Sequence, residues 1–260
     1  MARKKLKAAI AALLTQGTTL GSSHKFPFAD DDGILKGQAT AAQLAALLEK
    51  LRVDGAPRLG NSVFIVTVES DYYRFYHPEA FSASNVANAV GVMVKDGDNH
   101  IIIAKDYAPS TMKWATSNVT GGTAYLGRTD AMKDHDGRAK TATVVNTLGD
   151  NAPFAKFCAN YYPANMAENN ALFGKGRWWA PASGDLWIMY QHFNEINYAF
   201  SLINGTLLVR EAHWSITEYS ATYAWNLYFG NGTFGRTSKV HTRRVRPVSE
   251  SNRRVLTYGY

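Results

Sequence analysis

EYSATYAWNLYFGNGTFGRTSKVHTRRVRPV, residues 218–248, is the stretch around which the rest of the chain is organised. Trp225, Leu227 and Phe229 alternate with Asn226 and Tyr228, a period of two that predicts a strand with one apolar and one polar face. Asn231-Gly232 follows. That dipeptide is the strongest short-range hairpin signal and predicts a type I′ turn, in which both central residues take positive φ. From Thr233 to Thr242 large aliphatic side chains are nearly absent, and Arg244-Val245-Arg246-Pro247-Val248 then resumes the alternation, which Pro247 ends. The expectation is a β-hairpin with one side fit for a core. Its other side, carrying Tyr223, Asn226, Tyr228, Arg236, Thr237, Ser238, His241 and Arg243, would be a surface for touching a partner.

Working outward, 260 residues suffice for one large domain or two small ones, and an apolar fraction of 46% is ordinary for a globular chain. Aromatics reach 12%, with 14 Tyr and 6 Trp, residues that suit recognition surfaces as well as cores. The net charge of +7 sits at the two ends: residues 1–58 carry +4 and residues 210–260 carry +5, around a mildly acidic middle. With no nucleic-acid module in view, that distribution argues against nucleic acid as the partner. Cys158 is the single cysteine, which excludes an internal disulfide and a Cys/His zinc cluster; its neighbours Phe154, Phe157 and Tyr161 predict a buried, inert thiol. No apolar run reaches the ~18 residues of a membrane span, so no membrane insertion is expected.

Residues 1–57 read as a helical attachment or oligomerisation segment, and residues 58–260 as one ligand-binding domain. The start, MARKKLKAAIAALLTQG, has the outline of a secretory signal. Leu6, Ile10, Leu13 and Leu14 fall at helical spacing, however, which favours an amphipathic helix. A second helix is expected from Ala41 to Arg52, with Thr40 and Gln43 as a capping box and Leu44, Leu47, Leu48 and Leu51 as its stripe. Strands follow at Val63–Val68, Tyr72–Tyr76, Ala89–Val94 and His100–Ala104, the last two joined through Asp96-Gly97-Asp98. That triplet lacks the closing Glu of a calcium loop and reads as a turn. Residues 106–136 read as a long loop; Asp130, Asp134, His135 and Asp136 have metal-ligating chemistry but fit a solvated loop. Helices are expected at Lys140–Leu148 and Pro153–Tyr161. Another begins after Ser183 as N-cap, carries Leu186, Met189, Tyr190 and Phe193 on one stripe, puts His192 on its polar flank, and runs to an Asn204-Gly205 stop.

No catalytic motif emerges. Gly174-Lys175-Gly176-Arg177 lacks P-loop spacing, and GxSxG, HExxH and a Cys with a His at a diagnostic offset are absent. Glu211 and His213 alternate on a strand, a pairing too common to carry a claim. No enzyme activity, cofactor or metal is expected.

Several segments together resemble one family. KDYAPSTMKWATSNV (105–119), GRAKTATVVNTLG (137–149), GRWWAPASGDLWIMYQHFNEIN (176–197), WSITEYS (214–220), AWNLYFGNG (224–232) and RRVRPV (243–248) look like the variable proteins of diversity-generating retroelements in gut Bacteroides and their phages. The resemblance covers roughly residues 62–250, and the ordered set PASGDLW, WSxTEYS and RVRPV is its most specific part. It implies an α+β fold of the C-type-lectin-like class, formylglycine-generating-enzyme subtype, with a short helical N-terminal appendage. It further implies that a reverse transcriptase randomises adenines in AAY codons, which can yield many residues but not Lys, Glu, Gln, Met or Trp. Carried over, the edited, ligand-binding positions are Thr222, Tyr223, Asn226, Tyr228, Gly230, Gly235, Arg236, Thr237, Ser238, Val240, His241 and Arg243. Lys239 is frame, as are Trp225, Phe229, Gly232, Arg244, Val245, Arg246 and Pro247. The chain departs from the wider fold in two ways. A lone cysteine does not imply the sulfatase-modifying activity, and without EPN or QPD, calcium-dependent sugar binding is not implied either.

The resulting expectation is a receptor-binding protein of a phage tail-fibre tip, located on the virion. Its partners would be a host cell-surface protein or glycan, other tail proteins, and copies of itself, a homotrimer being attractive because repeated weak sites gain avidity. The alternatives are a secreted bacterial adhesin with the same domain, which N-terminal cleavage near residue 20 would indicate, and a basic nucleic-acid binder, which steeply salt-dependent DNA binding would indicate.

Overall fold

The computed structural model describes residues 25–29, 35–40, 62–69 and 72–250. The chain divides into two compact units, Met1–Ala56 and Pro57–Tyr260. In the first, β1 (Lys25–Ala29) and β2 (Leu35–Thr40) form an antiparallel pair with a register shift between Phe28 and Ala29. The pair occupies residues between the two expected helices, where no element was anticipated. Phe26 and Phe28 recur in the sequence at a spacing of two, a strand pattern. Both expected N-terminal helices lie outside the described residues.

The second unit is α+β with antiparallel sheets. Its larger sheet has the order β12–β6–β5–β3–β4, built from β3 (Ser62–Glu69), β4 (Tyr72–Tyr76), β5 (Ala89–Asp96), β6 (Asn99–Ala104) and β12 (Val248–Glu250). The unbroken apolar run of β3 follows from its covering. Val63 and Ile65 enter the main core, while Phe64, Val66 and Val68 are buried on the opposite face, where the Phe64 and Phe75 rings meet edge-on at 6.4 Å. A strand covered on both faces has no polar side to alternate with.

The helices are α1 (Arg128–Met132), α2 (Gly137–Leu148), α3 (Pro153–Asn160), α4 (Ser183–Gln191) and α5 (Phe193–Leu202). Three differ from expectation. α1 lies within residues 106–136, expected to be a loop; at five residues, with only Ala131 buried, it is too short to show a helical period in the sequence. The N-cap of α4 is Ala182, not Ser183: the Asp185 carboxylate accepts the Ala182 N–H at 2.9 Å, and the Ser183 hydroxyl is buried against Ser215 Oγ at 2.9 Å. The single helix expected across 183–203 is two, broken at His192 (φ −104, ψ 23). Both halves face one core, so Leu186, Met189, Ile196 and Phe200 keep a helical rhythm that hides the break. The expected stop holds, with Asn204 in the left-handed region at φ +53 and the Gly205 N–H bonded to the Phe200 carbonyl at 2.9 Å.

A second sheet, ordered β10–β9–β8, comprises β8 (Ala212–Glu218), β9 (Tyr223–Tyr228) and β10 (Thr233–Ser238). A short pair, β7 (Met112–Lys113) with β11 (Thr242–Arg243), ties the 106–120 loop to the chain beyond the hairpin. The two sheets share the main core with α4 and α5, to which β9 and β10 contribute Trp225, Leu227 and Phe234. A second core of Trp114, Val144, Phe154, Cys158, Trp214 and Ala224 lies on the other side of β8 and β9. Burial raises the Cys158 thiol well above its ordinary pKa.

Candidate functional site

The hairpin pairs Tyr228 with Thr233 and Tyr223 with Ser238. The two-residue type I′ turn is replaced by a four-residue connection, Phe229–Gly232, in which Gly232 alone has positive φ, at +72. Phe229 causes the change. It turns into the core, stacked on the His213 ring at 4.1 Å and edge-on to Phe193 at 6.0 Å, so pairing ends one residue before it. The Gly232 N–H then closes the loop on the Tyr228 carbonyl at 2.9 Å.

β9 does not have one apolar and one polar face. It is the middle strand of its sheet and is covered on both sides, with Trp225 and Leu227 in the main core and Ala224 in the second. Asn226 is consequently buried at 6% exposure, and its amide donates to Thr237 Oγ1 at 2.9 Å. The expectation that Asn226 reaches solvent is corrected: a polar residue opposite an apolar row faces water only where no second layer covers that row.

The remaining marked positions divide by depth. Tyr223, Tyr228, Arg236 and His241 are exposed; Thr222, Gly230, Gly235, Thr237, Ser238, Val240 and Arg243 are half-buried. They do not form a single face of the ladder. Tyr223, Trp225 and Arg236, Ser238 share one side by register, and Asn226, Tyr228, Gly235 and Thr237 the other. Tyr223 and Tyr228 stand at opposite ends of β9, about 17 Å apart along the strand. At the tip, the Tyr228 ring lies over Gly230, in the space that a Cβ there would take. At the base, the Arg236 guanidinium stacks on Tyr219 at 4.3 Å from its centroid.

Beneath this surface sits a charged frame that the spacing of the sequence does not announce. Lys239 is fully buried. Its ammonium meets Glu218 Oε1 at 3.0 Å, donates to the Val119 carbonyl at 2.7 Å and lies 4.3 Å from the centre of the Trp114 ring. The same Glu218 oxygen accepts the Gly121 N–H at 2.6 Å. Burial pulls the Lys239 pKa down, and Glu218 opposes that shift. Arg246, also buried, is sandwiched between Tyr107 and Phe200 at 4.5 and 4.3 Å and donates to the Lys105 and Thr206 carbonyls. Burial lowers its pKa to about 10, which leaves it charged at neutral pH. Arg244 forms a two-point pair with Glu211 at 2.9 and 3.0 Å.

Glu211 and His213 alternate but take different roles: the Glu211 carboxylate pairs with Arg244, whereas the His213 ring is buried. Its Nδ1 lies 2.9 Å from the Glu211 carbonyl, which can only accept, so Nδ1 carries the proton and Nε2 accepts from the Tyr107 hydroxyl at 2.6 Å. Burial pushes the His213 pKa down to about 3.

Two of the four loop residues with metal-ligating chemistry, Asp134 and His135, bond to the scaffold, while Asp130 and Asp136 are exposed. Asp134 is buried, bonded to Lys140 Nζ at 2.7 Å and Thr217 Oγ1 at 2.6 Å. His135 pairs with Asp185 at 2.9 Å, a contact that raises the His135 pKa. The solvated-loop expectation is therefore corrected for Asp134. Among the described residues no group of three or more His, Cys, Asp or Glu is placed to hold a metal ion. A cavity of about 260 Å³ opens beside the loop, lined by Thr123, Tyr125, Asp136, Lys140, Thr143 and Ile216 among others. No described helix is long and apolar enough to cross a membrane.

No protein-family model matches the chain, and no curated protein matches it. Among solved structures, a fimbrial protein from Bacteroides ovatus superimposes with a TM-score of 0.42 at 12% identity, over 58% of this chain and 36% of that one.

Proposed function

We propose that the chain is a non-enzymatic receptor-binding protein. Its C-terminal hairpin would display retroelement-diversified side chains on a C-type-lectin-like scaffold of the formylglycine-generating-enzyme subtype, at the tip of a phage tail fibre that attaches to a bacterial surface. The observation that carries this reading is the depth profile of residues 222–243. Eleven of the twelve positions marked for editing are exposed or half-buried, while the intervening frame residues Trp225, Phe229, Gly232 and Lys239 are buried. Lys239 is the most telling, because an edited AAY codon cannot encode lysine and this residue is locked in a buried ion pair. Asn226 is the exception, and on this reading an edit there alters packing rather than contact.

Tyr223 and Tyr228 supply rigid amphipathic area, and Arg236 and His241 supply charge or hydrogen bonds, the residue types that dominate binding hot spots and paratopes. The test is to replace Tyr223, Tyr228, Arg236 and His241 together by Ala. Fluorescently labelled wild type and variant are then compared by flow cytometry on a panel of Bacteroides strains. The variant should keep its thermal midpoint within a few degrees, as surface substitutions do, and lose binding to every strain the wild type stains. Unchanged staining, or a variant that unfolds, would sink the reading.

A further inference from the structure

The surface at the base of the hairpin is not made by the hairpin alone. Tyr219, just past β8, stands edge-on to Trp225 at 5.5 Å and carries Arg236 on its face. The Trp225 indole N–H donates to the Tyr125 carbonyl at 2.8 Å, and the Tyr125 N–H donates to the Glu218 carbonyl at 2.8 Å. The 121–127 segment is thereby stitched along the same edge. Leu126 comes next, 72% exposed, the most exposed large apolar side chain among the described residues. Tyr223, on the Arg236 side of the ladder, is 42% exposed.

The charge here is uncompensated. Arg236 has no ion-pair partner among the described residues, and Glu218, the nearest acid along the strands, is turned inward on Lys239. The guanidinium is thus held against a ring with its donor fork unused.

We propose that Arg236, Tyr219, Tyr223 and Leu126 form one anchor site for a protein partner that presents an Asp or Glu carboxylate beside an apolar side chain. The proposal deepens the receptor-binding reading and rests on it. The planar fork of arginine matches a carboxylate at two points, and stacking on Tyr219 already restricts the side chain, which lowers the entropy lost on binding. Leu126 decides the class of partner. It has neither a hydrogen-bonding group nor a π face, so the hydroxyls of a glycan would lose water against it without compensation, whereas an aliphatic side chain gains by covering it. Leu126 and Tyr219 lie outside the edited positions, so they would supply a constant apolar floor beside the variable Arg236.

The site is tested by surface plasmon resonance on the immobilised full chain, with three probes: an octapeptide of alternating Glu and Leu, its Gln-for-Glu analogue, and polygalacturonate. The Glu peptide should bind about tenfold more tightly than the Gln analogue, roughly one two-point charged contact. Arg236→Gln should erase that difference, Arg236→Lys should restore only part of it, and Leu126→Ser should weaken both peptides. Equal binding of the two peptides, or an Arg236→Gln variant that still discriminates, overturns the proposal. Polygalacturonate binding that depends on Arg236 without peptide binding also overturns it, in favour of an acidic glycan. So does a sedimentation coefficient that falls on Leu126→Ser, which would make the patch a contact between copies of this chain. Loss of cell staining in the quadruple variant, with no peptide discrimination, would refute this site and leave the receptor-binding reading standing.

Discussion

At the scale of single residues, the hairpin is held by charges that never reach solvent. Lys239 and Glu218 are 0% and 2% exposed, and Glu218 Oε2 has no partner among the described residues. Such a pair adds little net stability over an apolar replacement, but breaking it strands a buried charge. Lys239→Met should therefore cost about 3–5 kcal/mol in urea unfolding, and the double change Glu218→Gln, Lys239→Met should recover much of the loss. Additive losses would show that the two do not act as a pair. His213 makes a second case, through pH. Its folded pKa of about 3 lies below its ordinary 6.5, so across that window the unfolded chain binds a proton that the folded chain does not. Stability contributed by the neutral, buried ring is complete above pH 6.5 and is lost as pH falls, at about 1.4 kcal/mol per pH unit. Urea midpoints measured from pH 7 to pH 4 should decline more steeply in the wild type than in His213→Asn, which removes that proton from the balance; parallel curves would place His213 in water.

At the scale of elements, the hairpin shows what a sequence can and cannot convey. The alternation of Trp225, Leu227 and Phe229 gives the strand and its inward side directly, because one core is enough to impose a period of two. The same alternation says nothing about a second layer behind the strand. That layer comes from Trp114, Trp214 and Val144, scattered over a hundred residues of sequence. Asn226 was therefore legible as polar but not as buried. Lys239 and Arg246 are harder still: by composition they are surface residues, and only the fold brings Glu218, Trp114, Tyr107 and Phe200 around them. For Lys239, the codon argument attached to the family resemblance marked it as frame. The contrast between Asn226 and Tyr223 can be measured. Asn226→Ala removes a buried hydrogen bond, leaving Thr237 Oγ1 its Arg243 partner, and should cost about 1–2 kcal/mol while leaving cell staining nearly intact. Tyr223→Ala should do the reverse, with stability unchanged within about 0.5 kcal/mol and staining reduced. If both substitutions act on stability alone, the base of the hairpin is scaffold rather than contact surface.

At the scale of the whole domain, the 218–248 segment is neither a loose loop nor an appended arm. β9 is held by β8 and β10 at its edges and by a core on each face. The chain beyond the hairpin returns to the larger sheet, where Val248 pairs with Ile103 and with Trp179. The α+β class and most elements could be read from local periodicity. The closing of the C-terminal segment onto the larger sheet could not, since that contact joins residues far apart in sequence. This closure has a consequence for dynamics. Backbone amides buried between cooperative layers exchange only through openings near the global unfolding free energy, whereas amides in exposed connections exchange through local ones. In hydrogen exchange followed by mass spectrometry, peptides covering β9 should fall in the same slow class as those covering β3 and β5, and the 121–127 segment should exchange faster. Substitutions at Tyr223, Tyr228, Arg236 and His241 should leave the slow class unchanged, because these side chains lie outside both cores. Fast exchange across β9 would mean that the surface is ordered only by its partner, and a rigid platform for interchangeable side chains would then be the wrong description of this domain.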